Sequence, residues 1–444
     1  MRPKDRIYGS LVGLAVGDAL GRPLEGMTAE EIKTYCGAVD HYIETPRPRK
    51  DKWSIPGLHS DDTQQALALA ETILETGRAD PDVLGRKFLA LAGGPKALPL
   101  GAHRGFGRSF HFTVSSWKNG CRWNGGGRNS AGIGAAMRVG PVGLAFGGDD
   151  GFVRENAVLQ ALVTHNDPRG LASAATVAYL VGRALWTPAG GLDSNKLLAD
   201  ALGFAGRTEG WIQDVHHRHL APESADMARQ FSKALGELTG HIENPPSTVL
   251  PMIQSNCEAI SGYALKHPCQ GFALGGVVAA IYFFLHDPGS FEGPVLEAVR
   301  SGGDADSVAA IVGSIAGALH GYGRIPEPWK RDLVGREQIE LRAAALARES
   351  FDRDAWRDLP VVELEWTLME EARRREGLGI PALTEAELAD LEEIVIRPIV
   401  REPREDDEGR RSYGDRRDGA RRGRERGRRE GSRWDRFPTQ PPTV

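Results

Sequence analysis

Glycine recurs at every fourth position in two distant stretches: Gly9, Gly13, Gly17 and Gly21 early in the chain, and Gly313, Gly317 and Gly321 late in it. Residues four apart share one face of a helix. Inside a helix each glycine costs up to about 1 kcal/mol relative to alanine. The return for that cost is close approach of two backbones, so both stretches read as helices in a tightly packed centre. Glycine is abundant here, with 55 in 444 residues, but abundance alone does not produce the same spacing twice.

The segments between these repeats are helical in pattern. Alanine, the best helix former, fills "TQQALALAETILE", "LASAATVAYLVGRALW" and "DSVAAIVGSIAGALHG". Strand-like alternation is scarce, and Val139–Phe146 is a short apolar run with strand character. The expectation is an all-α protein, a compact orthogonal multi-helix bundle, with one domain over 1–330. A charged amphipathic helical extension follows over 331–399, where Thr384 and Glu387 form a capping box. Residues 400–444 are rich in Arg, Gly, Asp and Glu, lack apolar periodicity and are expected to be disordered.

Charge and cysteine content exclude several classes. Residues 401–436 carry 14 Arg against 10 Asp or Glu, which leaves 41 basic and 50 acidic residues elsewhere. The body is therefore acidic, which argues against a nucleic-acid role for it. The tail's mixed charge predicts only weak contact with polyanions. Cys36, Cys121, Cys257 and Cys269 include no CxxC pair, so neither a zinc ribbon nor a disulfide framework is indicated, and a reducing cytoplasm fits. The apolar stretch after Met1–Arg6 carries Asp18 and ends at Gly21-Arg22-Pro23, unlike a signal peptide. Gly271–His286, the most apolar run, is shorter than the roughly 20 residues a membrane span needs and reads as a buried helix.

Two acidic clusters carry the chemistry. In "GLHSDDTQQALALAE" Ser60 is a good N-cap type, and Asp61 and Asp62 fall in the first helical turn, where negative charge is favoured. Helix capping explains one such pair. The same device returns in "SGGDADSVAAIVGSIAG", with Asp304, Asp306 and Ser307 heading another helix. If the two heads meet, their mutual repulsion calls for cations. Oxygen donors without His or Cys select Mg²⁺, Mn²⁺ or Ca²⁺ over Zn²⁺, and four carboxylates carry charge for two divalent ions.

"GSLVGLAVGDALGRPLEG", "SDDTQQALALAE", "GIGAAMRVGPVGL", "THNDPRG" and "GGDADSVAAIVGSIAGALHG" occur in the order seen in the ADP-ribosylglycohydrolase family, which the chain resembles over roughly residues 5–330. The resemblance implies an all-α fold and a hydrolase that cleaves the glycosidic bond between ADP-ribose and an acceptor: a protein side chain, a nucleic acid or a small molecule. It implies two Mg²⁺, or Mn²⁺, held by Ser60, Asp61, Asp62, Asp304, Asp306 and Ser307. Ser60 stands where the family often has Thr and keeps the hydroxyl. Glu25 matches the family's acidic residue beside the metals, and Glu25 or Asp62 would relay the proton. Gly132, Gly134, Met137 and Arg138 would cradle the diphosphate, although Ile133 stands where the family usually has Asn. His165 matches a histidine near diphosphate and ribose, and Tyr263 lies where the family places its adenine-side wall. A catalytically inactive ADP-ribose reader or structural relative is the alternative; an RNA- or protein-binding role led by the tail is a third. His216, His217 and His219 have no companion ligand pattern, and neither a P-loop nor a GxSxG elbow is present.

All these motifs precede residue 322, so the tail is expected to be dispensable for catalysis. A chain ending at Val400 should release ADP-ribose from a small ADP-ribosylated substrate at the full-length rate, with the same response to Mg²⁺. A folded truncation without activity would place the tail in the active unit.

Overall fold

The computed structural model describes residues 3–46, 53–120, 123, 129–188, 190–222 and 224–391. The expected tail, the end of the extension beyond residue 391, and Cys121 lie outside the described residues. Within them the protein is all-α: helices and isolated bridges, without a named strand. Six helices position the site: α1 (Pro3–Gly21), α2 (Asp61–Thr76), α3 (Pro168–Trp186), α4 (Ala305–His320), α5 (Arg336–Leu346) and α6 (Leu359–Leu378).

The glycine repeats meet in an antiparallel seam between α1 and α4. A Cβ added at Gly9, Gly13, Gly17 or Gly21 would lie within 3.0 Å of the backbone of Gly317, Gly313, Ala309 or Ala305 respectively. The reverse holds for Gly313 and Gly317 against Gly13 and Gly9. Gly321, the last of the second repeat, is not in the seam's helical part: it ends α4 with φ of 84°. One buried polar contact crosses the seam, Ser10 Oγ to Ser314 Oγ at 3.0 Å. Both helices are buried along almost their whole length, as a helix apolar on every side must be.

A second seam sits beside the first. Val139–Phe146 is not a strand; Gly140–Phe146 is a short helix with Pro141 in its first turn, a position proline favours. Gly143 and Gly147 lie against Ala178 and Gly182 of α3, and a Cβ at either would come within 3.0 Å of that helix. The run's continuous apolarity reflects burial on all sides, which a short helix and a buried strand share. Of the run Gly271–His286, residues 273–285 are buried, with a π-helical turn over Ala273–Val277 leading into the helix Val278–His286.

The stretch after residue 330 packs on the same core. α5 lies against α1 and α2, where Arg342 donates to Glu71 from Nε (3.0 Å) and Nη2 (2.6 Å). α6 lies against α2 and the helix Pro81–Leu91, with Leu359 and Val362 buried. The Thr384–Glu387 capping box is present. Cys36, Cys257 and Cys269 are free thiols. Among the described residues no helix is long and apolar enough to cross a membrane.

The seam makes a stability prediction. In Gly13→Ala the added methyl meets a backbone carbonyl, which has no rotamer to relieve it, so the helices must separate at a cost of about 1–3 kcal/mol or more. Gly323→Ala, where nothing lies within 4 Å, should stay within about 0.5 kcal/mol of wild type. Urea unfolding of both variants tests this; a Gly13→Ala protein as stable as wild type would contradict the seam.

Candidate active site

The head of α2 is capped by a residue from another helix. Ser60 is the N-cap; its Oγ accepts from Asp62 N (3.3 Å) and donates to Asp62 Oδ2 (2.9 Å). The N–H groups of Ser60 and Thr63 turn to Asp18 of α1. Asp18 Oδ1 accepts from Ser60 N (2.8 Å), and Oδ2 accepts from Thr63 N (3.0 Å) and Thr63 Oγ1 (2.6 Å). Asp18 thus does the capping that Asp61 and Asp62 would otherwise do. Their carboxylates are left for the cleft, and the capping explanation of Ser-Asp-Asp is insufficient.

The head of α4 is built by a glycine pair. Gly302 and Gly303 have φ of 77° and 74°, and a Cβ on Gly303 would collide with the His267 ring. This turn pairs with the segment after Glu25: Gly26 N donates to Gly303 O (2.5 Å) and Gly303 N to Met27 O (2.8 Å). Asp304 N donates to Cys269 O (2.8 Å). Glu25 is therefore held beside Asp304 and Asp306 by backbone bonds on its C-terminal side.

The result is a buried acidic floor. Carboxylate oxygens of Asp18, Asp62 and Asp306 lie within 4.8 Å of one another. Burial, reinforced by the charge of Asp18, holds Asp61 and Asp62 well above the usual carboxylate range. Burial and the charge of Glu25 do the same for Asp306, and burial pushes Asp304 up to about 6. Asp62 Oδ1 is buried without a hydrogen-bond partner among the described residues. An orphaned carboxylate oxygen among three further buried carboxylates fits a divalent cation with oxygen donors. Asp61, Asp62, Asp304, Asp306 and the Ser307 hydroxyl would supply the donors.

These groups floor a cleft of about 810 Å³. Glu25, Gly132, Gly134, Met137, Arg138 and His165 line it with the four aspartates and Ser307. The loop at Gly132 is tied down by a bridge to Phe272 and by Ala273 N donating to Ala131 O (2.8 Å). His165 Nδ1 meets Thr164 Oγ1 at 2.7 Å. Burial, with the Arg138 charge, lowers its pKa to about 3, so the ring is neutral. Its Nε2 faces the glycines; a Cβ at Gly132 would stand 3.3 Å from it.

Two expected residues lie apart from the cleft wall. Ser60 sits behind it, hydrogen-bonded to Asp62. Tyr263 is 45% exposed, lies tilted against Phe272 with centroids 4.9 Å apart and accepts from Gln270 Nε2 (3.0 Å). Arg138 has its guanidinium committed elsewhere. Nε donates to Gln160 Oε1 (2.7 Å), Nη1 to Gln65 Oε1 (2.7 Å), and Nη2 to Gln160 O (3.0 Å) and Thr164 Oγ1 (2.8 Å). Gln65 in turn donates to Asp61 Oδ2 (2.6 Å), so Arg138 supports a floor residue at second hand.

Sequence reading missed Asp18 and Gln65. Gln65 lies four residues after Asp61, on the same helical face, which was a usable signal. Asp18 lies next to Gly17 in the seam repeat and shows its role only once α1 and α2 are placed together.

Fold and site together define an all-α protein with a deep, acid-floored cleft beside a glycine loop. The family model described as ADP-ribosylglycohydrolase matches residues 1–356, and the chain belongs to that family. A protein of Archaeoglobus fulgidus is 30% identical over 348 residues, 77% of this chain and 96% of that one. The ADP-ribosyl-[dinitrogen reductase] glycohydrolase of Rhodospirillum rubrum is 28% identical over 76% of this chain and 93% of its own. Among solved structures, an "ADP-ribosylglycohydrolase-related protein complex" chain matches with a TM-score of 0.55 and 27% identity, covering 79% of this chain and 99% of that one.

The charged floor predicts a pH-dependent effect of removing one carboxylate. A carboxyl whose pKa rises on folding binds more protons folded than unfolded, so its contribution to stability falls as pH rises. In metal-free protein, Asp62→Asn should raise the melting temperature, and the gain should grow from pH 5 to pH 8. Taking variant minus wild type cancels the neutral buried histidines, which act in the opposite sense. At pH 8, Mg²⁺ should stabilise the wild type and not the variant. A gain independent of pH, with no response of the wild type to Mg²⁺, would contradict the site.

Proposed function

We propose that the protein is a divalent-metal-dependent glycohydrolase that releases ADP-ribose from an ADP-ribosylated protein or small molecule. The chain is a family enzyme; the metal requirement and the acceptor belong to this proposal. One observation carries it. Asp61, Asp62 and Asp306 are buried together with Asp304 beside them, Asp18 takes the Ser60 and Thr63 N–H groups at the α2 head, and Asp62 Oδ1 is left without a hydrogen-bond partner among the described residues.

When bound there, divalent ions would neutralise the floor and polarise the ribose hydroxyls. The chain's own residues do the rest. The backbone N–H groups around Gly132 and Gly134 offer donors to a diphosphate. Neutral His165, in the tautomer with Nε2 protonated, adds a donor facing the same loop. Glu25 overlooks the floor from the mouth of the cleft. Hydrolysis at the anomeric carbon passes through an oxocarbenium-like state, and a carboxylate there stabilises developing positive charge and accepts a proton from the attacking water. The Glu25 arm is hydrogen-bonded to the head of α4, which supports a role for this carboxylate beside Asp304 and Asp306.

An inactive ADP-ribose reader finds no support, since Glu25 and all four floor aspartates are in place. The name of the Rhodospirillum relative points to a protein acceptor for that enzyme, and a protein acceptor is the first class to test here.

Glu25→Gln should lower turnover about 100-fold or more, the scale of general acid–base groups, and keep ADP-ribose affinity within a few-fold. Free ADP-ribose released from a panel of arginine-, serine- and nucleobase-linked substrates, with Mg²⁺, Mn²⁺ or chelator, reads both the linkage and the metal requirement. Wild-type rates in Glu25→Gln would remove it from the chemistry, and full activity in chelator would remove the metals.

A further inference from the structure

α6 begins at Leu359, beyond the family match, which ends at residue 356. Its inward face carries Glu363, Thr367 and Glu370, one helical turn apart. All three are buried; Glu363 and Glu370 bond residues close to Asp61 and Glu25, and Thr367 bonds Arg104 and Ala102.

Glu363 lies wholly inside the protein. Its carboxylate meets His59 Nε2 (3.0 Å) and accepts from Arg104 Nη2 (2.6 Å) and Gln64 Nε2 (2.9 Å). Arg104 passes this hold to the head of α2. Its Nε donates to His59 O (3.1 Å), and its own carbonyl accepts from Asp61 N (2.8 Å). Arg104 Nη1 donates to Thr367 Oγ1 (2.9 Å), and Thr367 Oγ1 donates to Ala102 O (2.8 Å). One turn on, Glu370 takes both arms of Arg22, at 2.8 and 2.7 Å, and accepts from Ile55 N (3.0 Å). Arg22 also donates to Leu58 O (3.3 Å) and stands three residues before Glu25.

A buried ion pair is weak evidence for stability, because desolvation offsets much of the attraction and a well-packed apolar substitute often does as well. Such groups act more visibly as fixers of geometry. These bonds end on the backbone of Leu58 to Asp61, immediately before the carboxylates of the floor. Groups that orient metal-binding side chains from behind typically change metal affinity 10- to 100-fold when mutated.

We propose that α6 is a positioning brace for the acidic floor: Glu363, through Arg104 and His59, and Glu370, through Arg22, hold the backbone that presents Asp61, Asp62 and Glu25. This rests on the metal-dependent reading of the cleft. Glu363, Thr367 and Glu370 do not line the cleft, and the brace gives a role to a helix that begins beyond the family match.

Calorimetric titration of Mn²⁺ alone into the metal-free full chain tests it. Glu363→Gln should weaken Mn²⁺ binding about 10-fold or more. Glu365→Gln, on the exposed face of α6, should bind as wild type. Phe231→Leu, a core variant in another layer, should lose stability without losing Mn²⁺ affinity. At saturating Mn²⁺, Glu363→Gln should regain kcat to within a few-fold of wild type, which Glu25→Gln should not. If Glu363→Gln does not fold, Glu370→Gln carries the same expectation. A folded Glu363→Gln or Glu370→Gln with wild-type Mn²⁺ affinity overturns the brace alone. Absence of Mn²⁺ binding by the wild type overturns the metal reading and the brace with it.

Discussion

The backbone contact between α1 and α4 brings together the acids that floor the cleft. Because the seam is antiparallel, the end of α1 lies against the start of α4, with Gly21 facing Ala305. Asp18 and Glu25 flank that end of α1, and Asp304 and Asp306 flank that start of α4. A side chain larger than hydrogen at Gly13 or Gly17 would push the helices apart and carry these acids away from one another. The propensity cost of the glycines, up to about 1 kcal/mol each, is offset by close packing along two helices buried over almost their whole length.

Asp18 then decides what the α2 head can do. A helix N-terminus attracts carboxylates, and Asp61 and Asp62 would ordinarily be absorbed by that role. Asp18 reaches from α1 and accepts three hydrogen bonds from Ser60 and Thr63. With the α2 cap satisfied from outside, Asp61 and Asp62 join buried Asp306 and half-buried Asp304 around one cleft floor. That arrangement is costly for apo protein and suited to bound cations. The glycine loop at Gly132, the neutral His165 and Glu25 line the cleft around this floor.

What the sequence displayed was local. The glycine period announced the seam, and Ser60-Asp61-Asp62 announced a helix head, because both signals lie within a few turns of chain. The Thr384–Glu387 box was legible for the same reason. Val139–Phe146 was ambiguous, since a short run buried on all sides has no period to separate helix from strand. Asp18's capping of α2, Arg138's support of Gln65 and Glu363's hold on Arg104 link residues far apart in the chain. None of them leaves a pattern in a single sequence. Arg138 shows the limit clearly: it lines the cleft with Met137, but its donors turn inward to Gln160 and Thr164.

The central claim is that the four aspartates form a two-ion site facing bound ADP-ribose. Diffraction at the manganese absorption edge, from crystals grown with Mn²⁺ and ADP-ribose, tests it most directly. The account predicts two anomalous peaks among Asp61, Asp62, Asp304 and Asp306, with the ribose above them. ADP-ribose seated in the cleft over a floor with no anomalous peak would contradict it.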